Sequence, residues 1–359
     1  MKKDLFDKVR FRCGVTMKNR FMLAPMTNTQ SHEDGTLSEE EFHWLTMRAE
    51  GGFGLTMTCA SHVQANGKGF PGQLGIYSDA HIPGHIRLAK AIQLAGSLAV
   101  IQLHHAGIRS PQELVAGDAV GPSAHEKSNS RALSLDEVYK LRDDFIASAQ
   151  RAQQCGYNGV EIHGAHGYIL CQFLSSTYNR RKDAYGGSLE NRSRLLFEIV
   201  KGIRSACGSD FLIGVRLSPE RFGMRLEEIM TICKRFIGEE LIDFLDISLW
   251  DVFKEPEETE YKGKSLLNYF TEMKMKNLRL TVAGNIRSAA DVRSVIDTGV
   301  DFVTIGRAAI LHHDFPLKVR DHDDFEPVAL PVSQDHLSGE GLGVDFIEYL
   351  KKWPGFVAS

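Results

Sequence analysis

One unit repeats eight times along the chain: a short apolar or β-branched run, a turn, and a stretch of helical periodicity. The runs are FMLAPM (21–26), LTMTCAS (55–61), LAVIQLHH (98–105), GVEIHGAH (159–166), FLIGVRLS (211–218), FLDIS (244–248), RLTVAGNI (279–286) and FVTIGRA (302–308). Most are continuously apolar rather than alternating, which marks parallel strands covered on both faces. Eight such strands with helices between them predict a closed (β/α)8 barrel rather than an open doubly wound sheet. The helical stretches carry their own start signals. Ser38 with Glu41 and Ser134 with Glu137 both fit the capping box, in which the serine oxygen takes a free amide and the carboxylate reaches back. RLLFEIVKGI (194–203) and ADVRSVIDTG (290–299) carry helix-spaced apolar residues, the second closing on Gly299.

No linker or composition shift divides the 359 residues. The expected organisation is a barrel over 1–320 and a C-terminal tail over 321–359 with a short helix that packs on or near it. The glycine-rich stretch 62–85 reads as a long loop after the second strand, and the acidic EPEETE (255–260) as a solvated loop rather than a metal site. With 42 Lys+Arg against 46 Asp+Glu, the formal charge of −4 gives no footprint for nucleic acid or anionic lipid. No run approaches the roughly 18 apolar residues of a membrane span, and MKKDLFDKVRFRCG has no apolar run behind its charges, so a secretory signal is not expected. The cysteines at 13, 59, 155, 171, 207 and 233 form no C-x-x-C pair. That disfavours structural zinc, an iron–sulfur cluster and a dithiol centre, and predicts free thiols in a cytoplasmic protein.

In a barrel the chemistry lies where strands hand over to loops at their C-terminal ends. Those positions offer no lysine, which argues against a Schiff-base aldolase. The densest polar cluster is EIHGAHGY (161–168). Alternation puts Glu161 and His163 on one face of the fourth strand, and the strand end releases His166 and Tyr168 into the loop. Zinc ligation is one reading of these residues and a set of hydrogen-bonded core histidines is another. Two histidines and a tyrosine at one strand end also offer neutral donors for a substrate oxygen and a phenol able to give up a proton. VAGNI (282–286) and TIGRA (304–308) bring small residues to the ends of the last two strands, the usual phosphate position of barrel enzymes, and Arg307 adds a charged fork. Gln102 and Arg216, on the third and fifth strands, suit an electron-rich ring equally with a structural ion pair.

Taken together, NRFMLAPMT (19–27), EGGFGLTMTCASHV (50–63), GFPGQLGIYSD (69–79), IQLHHAG (101–107), GVEIHGAHGYILCQFLSSTYNRRKDAYGGSLENRSR (159–194), GVRLSP (214–219), VAGNI and TIGRA resemble the old yellow enzyme family of FMN-dependent barrel ene-reductases. The resemblance implies non-covalent FMN across the barrel mouth and NADH or NADPH as hydride donor. Pro25 and Met26 would pack beside the ring, Thr27 would donate to flavin O4, and Ala60 would lie near the same edge. Gln102 would pair with the pyrimidine side and Arg216 would face N1/O2. Backbone at Gly284, Asn285, Gly306 and Arg307 would bind the phosphate. His163 and His166 would hold a carbonyl or nitro oxygen, and Tyr168 would protonate the alkene. One subgroup has cysteine where Thr27 stands and an aromatic residue where Thr29 stands, which implies a more open mouth here. That subgroup also sends a C-terminal arginine into the neighbouring subunit, whereas YLKKWPGFVAS has none; a homodimer or higher homo-oligomer is the expected assembly. The alternatives are a 2,4-dienoyl-CoA reductase-like relative without its iron–sulfur cluster, a flavin-free barrel isomerase or lyase using the same phosphate site, and a non-catalytic flavin-binding protein.

Overall fold

A computed structural model describes residues 3–115 and 117–358. All eight apolar runs form parallel strands: β1 (Phe21–Leu23), β2 (Leu55–His62), β3 (Leu98–His104), β4 (Gly159–Gly164), β5 (Leu212–Leu217), β6 (Phe244–Ser248), β7 (Arg279–Ala283) and β8 (Phe302–Ile305). They pair in sequence order and close on themselves, with Val303, Thr304 and Ile305 of β8 opposite Phe21, Met22 and Leu23 of β1. This is the (β/α)8 barrel expected from the repeat. Among the described residues, no helix is long and apolar enough to cross a membrane.

The outer helices follow the local signals with one exception. Ser134 and Glu137 form the reciprocal box at the start of the helix Leu135–Gln154, and Ser288 with Asp291 builds another before Ala289–Asp297. At the helix Glu39–Glu50, Ser38 accepts from the Glu41 amide at 3.0 Å, but the Glu41 side chain does not reach back. It is buried instead and accepts from the Ser31 hydroxyl. Burial outcompetes capping here because the carboxylate finds a donor inside. The acidic loop is less free than its composition suggests. Glu257 takes Arg221 at 2.8 Å, and Glu258 accepts from the Leu226 amide at 2.6 Å at the start of the helix Leu226–Glu239. Beyond the barrel the tail carries two short helices rather than one, Gln334–Gly339 and Val344–Lys351.

The N-terminal ends of the strands are shut by an apolar plug. A small antiparallel hairpin (Val9–Arg10 with Thr16–Met17) delivers Val9, Phe11 and Met17 against Met22, Leu55, Met57, Val100, Leu212, Phe244 and Phe302. Phe11 meets Phe302 edge-on with ring centroids 5.7 Å apart and Phe244 at 5.9 Å. Gly214 leaves room for this layer, since a Cβ there would fall 2.0 Å from the Phe244 ring. With that end filled by hydrocarbon, polar groups collect at the other. Removing the plug's central ring should be costly: Phe11→Ala is expected to lose about 3–5 kcal/mol in urea unfolding, the usual cost of deleting a buried phenyl ring. A loss below about 1 kcal/mol would mean that the hairpin does not seal the barrel.

Candidate active site

Four consecutive strands contribute to a charged floor just below the barrel mouth. Gln102 on β3 donates from Nε2 to Glu161 Oε1 on β4 at 2.7 Å. Arg216 on β5 lies with Nε 3.2 Å from Asp246 Oδ2 on β6, close enough for an ion pair although not aligned for a hydrogen bond. The register sets these neighbours side by side: Gln102 opposite Glu161, and Arg216 opposite Asp246. Glu161 and Asp246 are fully buried. Burial, with the Asp246 charge second, pushes Glu161 above the usual carboxylate range; burial also raises Asp246, and Arg216 opposes that rise. Two carboxylates thus share one guanidinium.

Above the floor, β4 ends in the histidine and tyrosine cluster. The Ala165 amide donates to His163 Nδ1 at 3.3 Å, which fixes the proton of a neutral His163 on Nε2. That nitrogen meets His166 Nδ1 at 3.3 Å, and His166 Nε2 meets Ser248 Oγ at 2.8 Å. The contacts form a directional chain from the Ala165 amide through both imidazoles to the hydroxyl. Burial, then the charges nearby, holds both histidines well below their usual range, so they are neutral donors. His166 adopts φ +59°, a left-handed turn that swings its ring toward the mouth. The Tyr168 ring stands 5.2 Å from His163 and 4.4 Å from His104, edge to face in both cases. Arg109 covers the phenol ring at 4.8 Å and donates to the His166 carbonyl at 2.5 Å. Burial raises the Tyr168 pKa and Arg109 pulls it back, so the phenol keeps its proton at neutral pH.

A cavity of about 490 Å³ opens beside these groups. Of the expected residues, Pro25, Met26, His166, Arg216, Gly284, Asn285, Gly306 and Arg307 line it. Thr27, Ala60, Gln102, His163 and Tyr168 do not form its wall: Gln102 and His163 are buried, while Thr27, Ala60 and Tyr168 are partly exposed. At the far end Arg307 Nη2 donates to Asn285 Oδ1 at 3.1 Å, and Asn285 Nδ2 donates to Asp251 at 3.2 Å. Burial and the neighbouring Arg287 lower the Arg307 pKa, so this end concentrates positive charge. Gly284, at φ +154°, is required by the backbone, since a Cβ would lie 3.0–3.1 Å from Trp250 and Asp251 main-chain atoms. Gly306 has no such reason: a Cβ would meet nothing nearer than Met26 Sδ at 3.8 Å. The room it leaves belongs to the cavity. The helix after it, Arg307–Leu311, spans only five residues, so the arginines rather than a long helix dipole supply the charge. The arrangement suits a long ligand with an anionic end and a polar planar head set against Arg216.

Among the residues outside the expected set, three large side chains stand at or near the cavity. Trp250 follows β6, Arg109 follows β3, and Trp353 arrives from the tail. The first two occupy loops after strand ends, where an aromatic or arginine is itself a signal. Trp353 has no local signal. Its placement depends on the helix Val344–Lys351, held by Phe346 against Trp44 at 5.5 Å and by the Thr29 hydroxyl on the Asp345 carbonyl at 3.1 Å. The small Thr29 side chain therefore meets the tail rather than standing over an open mouth. Among the described residues, no group of three His, Cys, Asp or Glu side chains is placed to hold a metal.

Comparison with known proteins agrees with this fold. Residues 4–325 match the family model described as the NADH:flavin oxidoreductase / NADH oxidase family. The chain is 38% identical over 330 residues to the probable NADH-dependent flavin oxidoreductase YqiG of Bacillus subtilis, covering 89% of this chain and 88% of that protein. It is 32% identical to an NADH oxidase of Thermoanaerobacter brockii, matching 89% of this chain but only 51% of that longer protein. The structure of an old yellow enzyme homologue from Zymomonas mobilis superposes with a TM-score of 0.81 at 28% identity, covering 95% of this chain and 98% of that one. From its fold, its strand-end motifs and a match running almost from end to end, the chain belongs to the NADH:flavin oxidoreductase / NADH oxidase family, that of the old yellow enzymes.

Proposed function

We propose that the protein is an ene-reductase, using NADH or NADPH to reduce the C=C bond of α,β-unsaturated carbonyl or nitro compounds on FMN. The observation that carries this reading is the ordered neutral pair His163–His166 beside the protonated Tyr168, at the rim of a cavity whose other end holds Arg287 and Arg307. FMN bound in that cavity would supply the two-electron chemistry, accepting hydride from the nicotinamide and passing it to the alkene β-carbon. The phosphate would take Arg307 and the backbone at residues 284–285 and 306–307. Gln102 would face the pyrimidine side, Thr27 would donate to O4, and Pro25, Met26 and Ala60 would border the ring. Arg216 would stand opposite N1/O2, where the reduced cofactor is most electron-rich, and a fixed cation there favours the reduced form.

His163 Nε2–H is the donor best aimed at a substrate oxygen. Its present acceptor, His166 Nδ1, is a weak one at 3.3 Å, so a carbonyl or nitro oxygen can replace it. His166 would add its own donor by turning from Ser248. Both bonds strengthen as charge develops on that oxygen, so they lower the barrier more than they stabilise the bound substrate. Tyr168 then gives its proton to the α-carbon. Arg109, stacked on the phenol, favours the phenolate left behind.

Two substitutions separate cofactor binding from chemistry. Arg307→Ala should weaken FMN retention about ten- to a hundredfold, because a charged hydrogen bond to phosphate contributes roughly 1.5–3 kcal/mol. Full FMN content and unchanged affinity in the variant would remove the phosphate from this end.

Tyr168→Phe should bind FMN normally and be reduced by NAD(P)H at close to the parent rate, since that half-reaction needs no proton at carbon. In anaerobic stopped flow, reoxidation by an enone should fall by roughly 10²–10⁴-fold. Reoxidation by a nitroalkene should fall less, because its anion is stable and takes a proton from water. Enone reduction at the parent rate would show that Tyr168 is not the acid.

A further inference from the structure

The floor holds a titratable group that the proposed chemistry leaves without a role. Glu161 is fully buried on β4, and its Oε2 has no hydrogen-bonding partner among the described residues. Its Oε1 takes one N–H of Gln102, the residue expected to face the pyrimidine side of FMN. A carboxylate can only accept, so an ionised Glu161 must be met by the amide nitrogen of Gln102, and the amide oxygen is then left for the opposite side. A protonated Glu161 can donate to that oxygen instead. The amide, whose two ends have nearly the same shape, then turns over and presents its NH2 group the other way.

We propose that Glu161 takes up one proton when the bound cofactor is reduced and releases it on reoxidation, and that its protonation sets which end of the Gln102 amide faces the flavin. Glu161 thereby acts through Gln102 as a positioning residue. The inference rests on the FMN placement proposed above. The balance is simple: two electrons and one proton enter FMN as hydride, and a second proton passes from solvent to the Glu161 carboxylate. The oxidised ring, with its N3–H, is served by an amide oxygen. The reduced ring, richer in electrons at N1 and O2, is served by an amide NH2. The added negative charge beside Arg216 also competes with Glu161 and Asp246 for that one cation, which favours a proton on a carboxyl group.

The groups acting on Glu161 come from three neighbouring strands. Gln102 on β3 and Arg216 on β5 favour its charged form, while Asp246 on β6 opposes it. His163, two residues along the same strand and on the same face, is held neutral and adds no charge. Burial is the largest influence and already raises Glu161 above the ordinary carboxylate range. Asp246, raised less and with Arg216 within 3.2 Å, is the member of the pair that keeps its charge.

The experiment is the two-electron midpoint potential of the FMN holoenzyme against pH, from about pH 5 to pH 10, a span wide enough to cross a raised carboxyl pKa. In the parent, one segment should fall twice as steeply with pH as the rest, the signature of two protons per two electrons instead of one. Glu161→Gln should abolish that segment. Asp246→Asn should move it to lower pH, because it removes a repelling charge and frees Arg216 for Glu161. Equal slopes in parent and Glu161→Gln would overturn the proposal. If only this inference is wrong, Asp246→Asn should still shift the potential, by the same amount at every pH. If FMN does not lie on this floor, neither variant should move it at all. Should Glu161→Gln fail to retain FMN, the reduced-minus-oxidised infrared spectrum of the parent decides. A protonated-carboxyl C=O band that appears on reduction and persists in Asp246→Asn supports Glu161, and its absence from the parent overturns the idea.

Discussion

The architecture hangs on a short ladder: the three-residue pairing of β8 with β1 that closes the barrel. A closed sheet has no edge to protect, but its interior must be filled by side chains from every strand. That same closure brings Pro25 and Met26, just past β1, to the rim beside Gly306 and Arg307, just past β8. Residues about 280 positions apart thereby share one wall. The Thr281 and Thr304 hydroxyls, 2.8 Å apart on β7 and β8, pair inside the barrel close to that junction.

The interior is divided between two kinds of filling. At the N-terminal end, Phe11, Phe244 and Phe302 make a dry aromatic layer. Toward the mouth, the floor contains Glu161, Arg216 and Asp246, three ionisable groups taken out of water. Burying a second carboxylate beside a single guanidinium is unfavourable while both acids are charged. Such an arrangement is a poor way to stabilise a fold and a good way to hold a fixed field under a ligand whose charge changes. The plug below allows it, since water cannot reach the floor from that side.

Much of this was legible in the sequence because it depends on short-range pattern. Continuous apolar runs, glycine-marked strand ends and serine caps report on a few residues at a time, and all eight strands, the Ser134–Glu137 box and the cavity positions at residues 284–285 and 306–307 follow from them. Where the reading departs from the structure, distant contacts decide. Glu41 leaves its cap for a buried partner, Ser31, that lies in a different loop. The 255–260 acids are held by Arg221 and by the start of a helix rather than left to solvent. Trp353 reaches the cavity only because the last helix docks on Trp44 and Thr29, contacts with no signature in WPGF itself. The direction of the imidazole chain is equally invisible to sequence, since it is set by one backbone amide at Ala165.

The docking of Trp353 gives the cavity an optical character. The chain has three tryptophans; Trp250 and Trp353 form part of the cavity wall, and Trp44 is wholly buried beside Phe346. A flavin between the first two would accept their excitation energy at contact range, while its absence would leave all three emitting. Intrinsic fluorescence should therefore report occupancy of the site without any label. Because Trp250 and Trp353 stand on separate segments of chain, replacing either one by phenylalanine would show whether the wall and the tail respond together or apart.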